Sequence, residues 1–254
     1  MTGERRGLRV TLWRLRRTLR RYGVVGTIRE AIRLLRTRGA GEDARSRSLD
    51  FDRRHGTETA GIVRLGALRI ESPNRDLGVR YQPSDPDGFR SLVEALPVDL
   101  KDYVFVDLGS GKGRVLLLAS EYPFRRVVGV EFAQELNEIT ERNFALYDST
   151  RRRCGDVRTV TADAADYLLP EEPVVLYLYN PFAPEVLRCH LERNRDSLER
   201  GSRPVYVLVT GARELVGVLE AAGFERLRSG GEDGGRGIFA SADAPGARAR
   251  PPDV

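Results

Sequence analysis

Residues Tyr103–Arg114 read YVFVDLGSGKGR: an apolar run, an acid at Asp107, then glycine at 109, 111 and 113. A strand that delivers an acid to its carboxyl end and passes at once into alternating glycines makes a very tight turn. Glycine is required there because a Cβ would block either a positive-φ turn or the close approach of a ligand to bare backbone. A dinucleotide fingerprint, G-x-G-x-x-G, would need its third glycine at position 114. That position is Arg114, and the third glycine comes one residue early, at Gly113. Asp107 also argues against a pyrophosphate, because a carboxylate repels phosphates and attracts an ammonium group.

A ligand with a cationic amino-acid head and a nucleoside fits this loop better than a dinucleotide does. S-adenosylmethionine is such a ligand, and Asp107, Gly109, Ser110, Gly111 and Gly113 resemble the first motif of the class I methyltransferases. These enzymes bind that cofactor on a Rossmann-like sheet. The next segments agree. Arg126–Val130 reads as a second apolar strand ending at Glu131, about 20 residues past the loop, where such folds place an acid on a ribose diol. Glu131 also suits the start of a helix, where the macrodipole favours an acid. Val157–Thr161 is a short strand followed by Ala162-Asp163-Ala164. The resemblance puts Asp163 and Ala164 at the adenine, while Asp163 alone also fits an N-cap.

Val174–Tyr179 is an apolar strand that stops on Asn180-Pro181-Phe182. Pro181 ends ladder pairing and biases Asn180 away from the helical region. An amide is thereby set at the carboxyl edge of the sheet, where open α/β sheets bind ligands. The trio resembles the Asn/Asp-Pro-Pro-aromatic motif of amino-group methyltransferases, with the second proline missing. The resemblance implies that Asn180, Pro181 and Phe182 orient an acceptor nitrogen. The order FVDLGSGKGR, GVEFAQEL, NPFAPEVL is also similar to the non-SET histone-lysine methyltransferases of the telomeric-silencing-disruptor type, over about Tyr103 to Leu187. Pro181 stands where that family has a second asparagine, so the substrate does not carry over.

The rest of the chain completes an α/β reading. Helices are expected at Pro86–Leu96, Lys112–Ser120, Gln134–Tyr147, Pro184–Leu198 and Arg213–Ala222, and a fifth strand at Val205–Val209. Phe224–Arg228 and Gly237–Ala240 form two more strands. The short turn Ser229–Arg236 between them makes the pair antiparallel. The expected fold is a Rossmann-like, seven-stranded doubly wound sheet with an antiparallel last strand, preceded by a helical extension. Residues 1–48 form an arm and linker, 49–240 the methyltransferase domain and 241–254 a disordered tail rich in Ala, Pro, Gly and Arg.

The 254 residues are 41% hydrophobic with a net charge of +5, enough to bury a core. Two cysteines, Cys154 and Cys189, and two histidines, His55 and His190, provide neither a disulfide framework nor a metal set, which points to a reducing cytoplasm. Much of the basicity lies in the arm, Arg5–Arg38. Leu8, Leu12, Leu15 and Leu19 form one helical stripe there, and Ile28, Ile32 and Leu35 another. Such helices suit an anionic membrane surface, a nucleic-acid backbone, or packing as a lid or dimer arm. The protein is therefore expected in the cytoplasm or peripheral to the membrane, as monomer or homodimer. Tyr81 and His55, in polar segments ahead of the sheet, are expected to approach the acceptor site. The functional expectation is S-adenosylmethionine-dependent methylation of a nitrogen. The alternatives are an NAD(P)-dependent oxidoreductase and a membrane- or RNA-docked adaptor without chemistry.

Overall fold

The computed structural model describes residues 45–200, 203–230 and 235–247. The chain divides into two compact units, Met1–Arg47 and Ser48–Val254. The amphipathic stripes of the arm lie outside the described residues.

Seven strands build the second unit: β1 (Val104–Leu108), β2 (Arg126–Glu131), β3 (Val157–Thr161), β4 (Val174–Tyr179), β5 (Val205–Thr210), β6 (Glu225–Gly230) and β7 (Arg236–Ala240). They form one sheet in the order β3-β2-β1-β4-β5-β7-β6. The first five pair in parallel, and β7 runs antiparallel to both β5 and β6. The order reverses between β1 and β4. The crevice for a ligand therefore opens at the carboxyl ends of those two strands.

Residues 48–55 are helical (α1). Six further helices follow: α2 (Pro86–Val93), α3 (Arg114–Ser120), α4 (Gln134–Leu146), α5 (Pro184–Arg193), α6 (Arg195–Arg200) and α7 (Arg213–Ala221). The central strands read as unbroken apolar runs because both faces of the sheet are covered. Val106, Leu176 and Val207 pack on one side with Val186 and Leu187 of α5 and Leu215 and Leu219 of α7. Phe105, Val175 and Leu208 pack on the other with Phe89 of α2 and Leu116 and Leu117 of α3. Phe105 is fully buried and meets Phe89 edge-on at 5.8 Å, and truncating such a ring costs about 3–5 kcal/mol.

Several boundaries differ from the sequence reading for local reasons. Helix α3 starts at Arg114 rather than Lys112 because Gly109, Gly111 and Gly113 all hold positive φ (87°, 56° and 79°), which carries the loop two residues further. Helix α2 stops at Val93, short of Pro97, though Leu96 still buries its side chain. The single helix expected over Pro184–Leu198 breaks at Asn194. Its side-chain amide turns outward to the Tyr167 carbonyl and the Leu169 amide. Residues 241–247, expected to be disordered, form turns on the core. Ala244 is buried there, and the Tyr206 hydroxyl donates to the Pro245 carbonyl at 2.5 Å.

Candidate active site

The site grows from the ends of four strands. β1 brings in Asp107, which is 3% exposed. The turn after it leans on β2, with the amides of Gly109 and Ser110 donating to the Val130 carbonyl at 2.8 and 3.1 Å. A Cβ on Gly109 would stand 2.6 Å from the Pro181 Cβ, and one on Gly111 would enter the Tyr81 ring. Gly113 serves a different need, since a Cβ there would strike Thr140 of α4. Gly113 is not among the residues that line the cleft. Its left-handed backbone starts α3 and lets α4 pack closely.

β2 ends on Glu131, also buried. Its Oε2 accepts from the Gly111 amide at 2.9 Å and its Oε1 from the Ala133 amide at 3.0 Å. Burial pushes the Glu131 carboxyl up to about 7, against the pull of these backbone donors. Asp107 is held well above the usual carboxylate range, first by burial and then by the charge of Glu131. No described residue donates a hydrogen bond to the Asp107 carboxylate. A buried, unsatisfied carboxylate is costly, so this one asks for a cationic or donor ligand. The Ser110 hydroxyl, buried beside it, has no partner either.

After β3, Asp163 caps no helix but closes a turn, its Oδ1 accepting from the Ala165 amide at 2.8 Å. It also faces the cleft. Its Oδ2 accepts from Asn74 Nδ2 at 3.0 Å and from the Ser72 hydroxyl. Ala164 lines the cleft next to it. From behind, buried His190 on α5 contacts the Ala164 carbonyl through Nδ1 at 2.8 Å. Burial lowers that imidazole to about 4, so the neutral ring donates through Nδ1.

After β4, Asn180 takes a left-handed φ of 42°, the one non-glycine residue to do so among those described. Asparagine tolerates this region better than most residues. The Asn180 side-chain amide makes no hydrogen bond among the described residues and lines the cleft. The Pro181 carbonyl accepts from the Val79 amide at 3.0 Å, and Phe182 bridges to Gly78. Residues 63–81 thus form a strap, closed by the Val63–Tyr81 bridge, that reaches over the strand ends. Tyr81 seals it against the glycine loop, and its hydroxyl donates to the Thr59 carbonyl at 2.5 Å. Burial pushes that hydroxyl far up, so it stays protonated.

The cleft is partly open to solvent and holds a cavity of about 70 Å³. It brings together Asp107, Gly109, Ser110, Gly111, Glu131, Asp163, Ala164, Asn180, Pro181, Phe182 and Tyr81. His55 does not join them. It sits between the rings of Phe51 and Tyr147, at 4.5 and 4.9 Å, and serves packing. Arg114, read in the sequence only as a missing glycine, is 3% exposed and lines the cleft. Its guanidinium donates to the Thr59 hydroxyl at 2.7 Å, the Ser48 hydroxyl at 2.8 Å and carbonyl at 3.0 Å, and the Ser84 carbonyl at 3.4 Å. Ser72, Asn74 and Gln82 belong to irregular segments whose partners are 89 to 97 residues away, so no local pattern announces them.

Residues 85–171 match the family model described as Histone methylation protein DOT1. The matched span holds Asp107, the glycine loop, Glu131 and Asp163, all set on a parallel sheet that ends in an antiparallel hairpin. Over that span the chain is similar to the DOT1 family, and its sheet is the seven-stranded Rossmann-like sheet with an antiparallel last strand. The match stops before Asn180. No curated protein matches the chain. Among solved structures the chain is similar to a glycopeptide N-methyltransferase complexed with S-adenosyl-L-methionine, at 13% identity over 61% of this chain and 92% of that one, with a TM-score of 0.42. It is similar to a methyltransferase from Thiobacillus denitrificans in complex with S-adenosyl-L-homocysteine, at 19% identity over 57% and 66%, TM-score 0.41. A putative RNA methyltransferase from Pyrococcus horikoshii matches at 16% identity over 68% and 77%, TM-score 0.44.

Among the described residues no group of His, Cys, Asp and Glu is placed to hold a metal ion. No helix among them is long and apolar enough to cross a membrane.

Proposed function

We propose that this protein is an S-adenosylmethionine-dependent methyltransferase acting on a nitrogen. The observation that carries the reading is Asp107, a buried carboxylate with no hydrogen-bond donor, beside a glycine loop that leaves backbone bare. A phosphate-bearing nicotinamide cofactor would bring its pyrophosphate to the loop beside Asp107 as a like charge, which disfavours the oxidoreductase reading. An amino-acid head finds a counter-charge in Asp107 and a hydroxyl in Ser110. Glu131 has two carboxylate oxygens, each with a lone pair beyond those used by Gly111 and Ala133. It can therefore accept from a ribose diol without releasing the loop. Asp163 and Ala164 would flank the adenine.

When bound, the cofactor supplies a methyl group already activated on a sulfonium. The protein's part is then to orient the acceptor and exclude water. Asn180 holds a free amide at the cleft, and the Pro181 carbonyl keeps its second lone pair. Together they accept from an acceptor N–H and aim the nitrogen's lone pair. Tyr81 and the strap shield the loop side.

Calorimetric titration with S-adenosylhomocysteine tests the reading. Binding is expected, and Asp107→Asn weakens it about tenfold or more, as expected for loss of a charged hydrogen bond. A protein that does not bind S-adenosylhomocysteine, or that binds NAD in its place, refutes the proposal. Binding without methyl transfer to any acceptor favours the adaptor.

A further inference from the structure

The two ends of the cleft carry opposite charge. The acids of its wall, Asp107, Glu131 and Asp163, all stand at or just beyond the ends of β1, β2 and β3. Toward β4 the wall is made of Tyr179, Asn180, Gln82 and Ser84, with Arg80 and Arg114. Asp85, the acid that acts on Tyr179, turns its carboxylate to cap α2 through the Gly88 amide and is not part of the wall. Burial raises the Tyr179 hydroxyl, which donates no base to this end. An ammonium acceptor, whether of lysine or of an ethanolamine headgroup, would meet the Arg80 guanidinium, Arg114 being paired with Asp52, and no group at this end to take its proton. An uncharged amino group needs neither.

The strap that crosses the cleft, from Asp163 after β3 to Arg80 on the β4 side, is cationic. The strap carries four exposed arginines, Arg64, Arg69, Arg75 and Arg80, against two acids, Glu71 and Asp76. None of the four guanidinium groups makes a salt bridge among the described residues, although the Glu135 carboxylate of α4 accepts from the Arg69 amide at 2.9 Å and feels the Arg69 charge. Arg80 stands on both surfaces, on the strap and in the cleft wall. Arginine forks match phosphate oxygens.

Resting on the methyltransferase reading, we propose that the acceptor is a nucleobase amino group in a nucleic-acid strand whose phosphates lie along the strap arginines. The nitrogen lone pair takes the methyl carbon as the carbon–sulfur bond breaks toward sulfur. The surplus proton on nitrogen leaves to water.

The experiment starts from protein shown to bind S-adenosylhomocysteine. Anisotropy with a random-sequence 20-nucleotide RNA or DNA single strand is followed against salt. Four phosphate contacts give a log–log slope of about −3, and R64A/R69A/R75A removes about 2 of it, while affinity for S-adenosylhomocysteine stays unchanged. Tritium from labelled S-adenosylmethionine is expected in the strand. Label only in a mononucleotide mixture, in polylysine, or in phosphatidylethanolamine–phosphatidylglycerol vesicles overturns the proposal. So does a salt slope that the triple variant leaves alone. Failure to bind S-adenosylhomocysteine at the outset instead removes the methyltransferase reading.

Discussion

The Gly111 amide donates to the Glu131 carboxylate at 2.9 Å, so the loop after β1 and the acid that ends β2 form one hydrogen-bonded unit. Any change at Glu131 therefore acts twice, on the ligand and on the loop. Glu131→Ala is expected to lower affinity for S-adenosylhomocysteine by about 10- to 100-fold, the loss of charged hydrogen bonds to a diol. Glu131→Gln keeps one acceptor oxygen for Gly111 and loses less. Calorimetry on both variants separates the two roles.

The same acid sets a pH dependence. Burial raises Glu131 to about 7 in the folded protein, and Asp107 is raised as well. The folded protein thus holds protons that the unfolded chain releases at lower pH. Glu131 and Asp107 therefore contribute stability to the unliganded protein that is fully present below the ordinary carboxylate range and is lost as pH rises toward and through about 7. Ligand binding runs the other way, because a diol and an ammonium group both need the ionised acids. Affinity for S-adenosylhomocysteine should rise about tenfold from pH 6 to pH 8, as the ionised fraction of a group titrating near 7 does. Thermal melts and titrations at the two pH values check both signs.

Two glycines make a matched pair of tests. Gly109 combines a φ of 87° with 2.6 Å between its would-be Cβ and Pro181. Gly109→Ala should cost about 2 kcal/mol or more, from strain together with displacement of Pro181. Gly217 sits within α7 with nothing within 4 Å of its would-be Cβ. Gly217→Ala should stabilise by about 0.5–1 kcal/mol. Urea melts measure both.

Arg114 joins α1 and the irregular segments at Thr59 and Ser84. Asp52 lies 3.6 Å from it, and the Phe51 ring packs under the guanidinium at 4.6 Å. Arg114→Ala leaves these buried acceptors and Asp52 without their cation, at a cost of about 3–5 kcal/mol. Arg114→Lys should rescue little, because one ammonium cannot reach acceptors arranged around a planar fork. Limited proteolysis between residues 48 and 60 should become faster in both variants.

Strands were the most legible feature of the sequence. Val104–Leu108 and Val174–Tyr179 are buried on both faces, so their composition alone marks them. Asp107 and Glu131 were legible because they sit at fixed offsets from strand ends and glycines. The roles of Gly113 and His55 were not. A glycine's need for space depends on a residue from another helix, here Thr140, and a histidine between two rings has no sequence signature. Arg114 is the sharpest case: its meaning lies in Ser48, Thr59 and Ser84, and folding alone brings these to it.

The strap is tied to the Pro181 carbonyl at one side of the cleft and to Asp163 at the other. A nucleoside held between those points cannot leave until Ser72 and Asn74 release Asp163. On the methyltransferase reading, departure of the spent cofactor is expected to be slower than the chemical step. In rapid mixing, one methyl group per protein molecule is transferred in a burst, followed by a slower steady rate. Loosening the strap by Asn74→Ala raises that steady rate and weakens retention of S-adenosylhomocysteine.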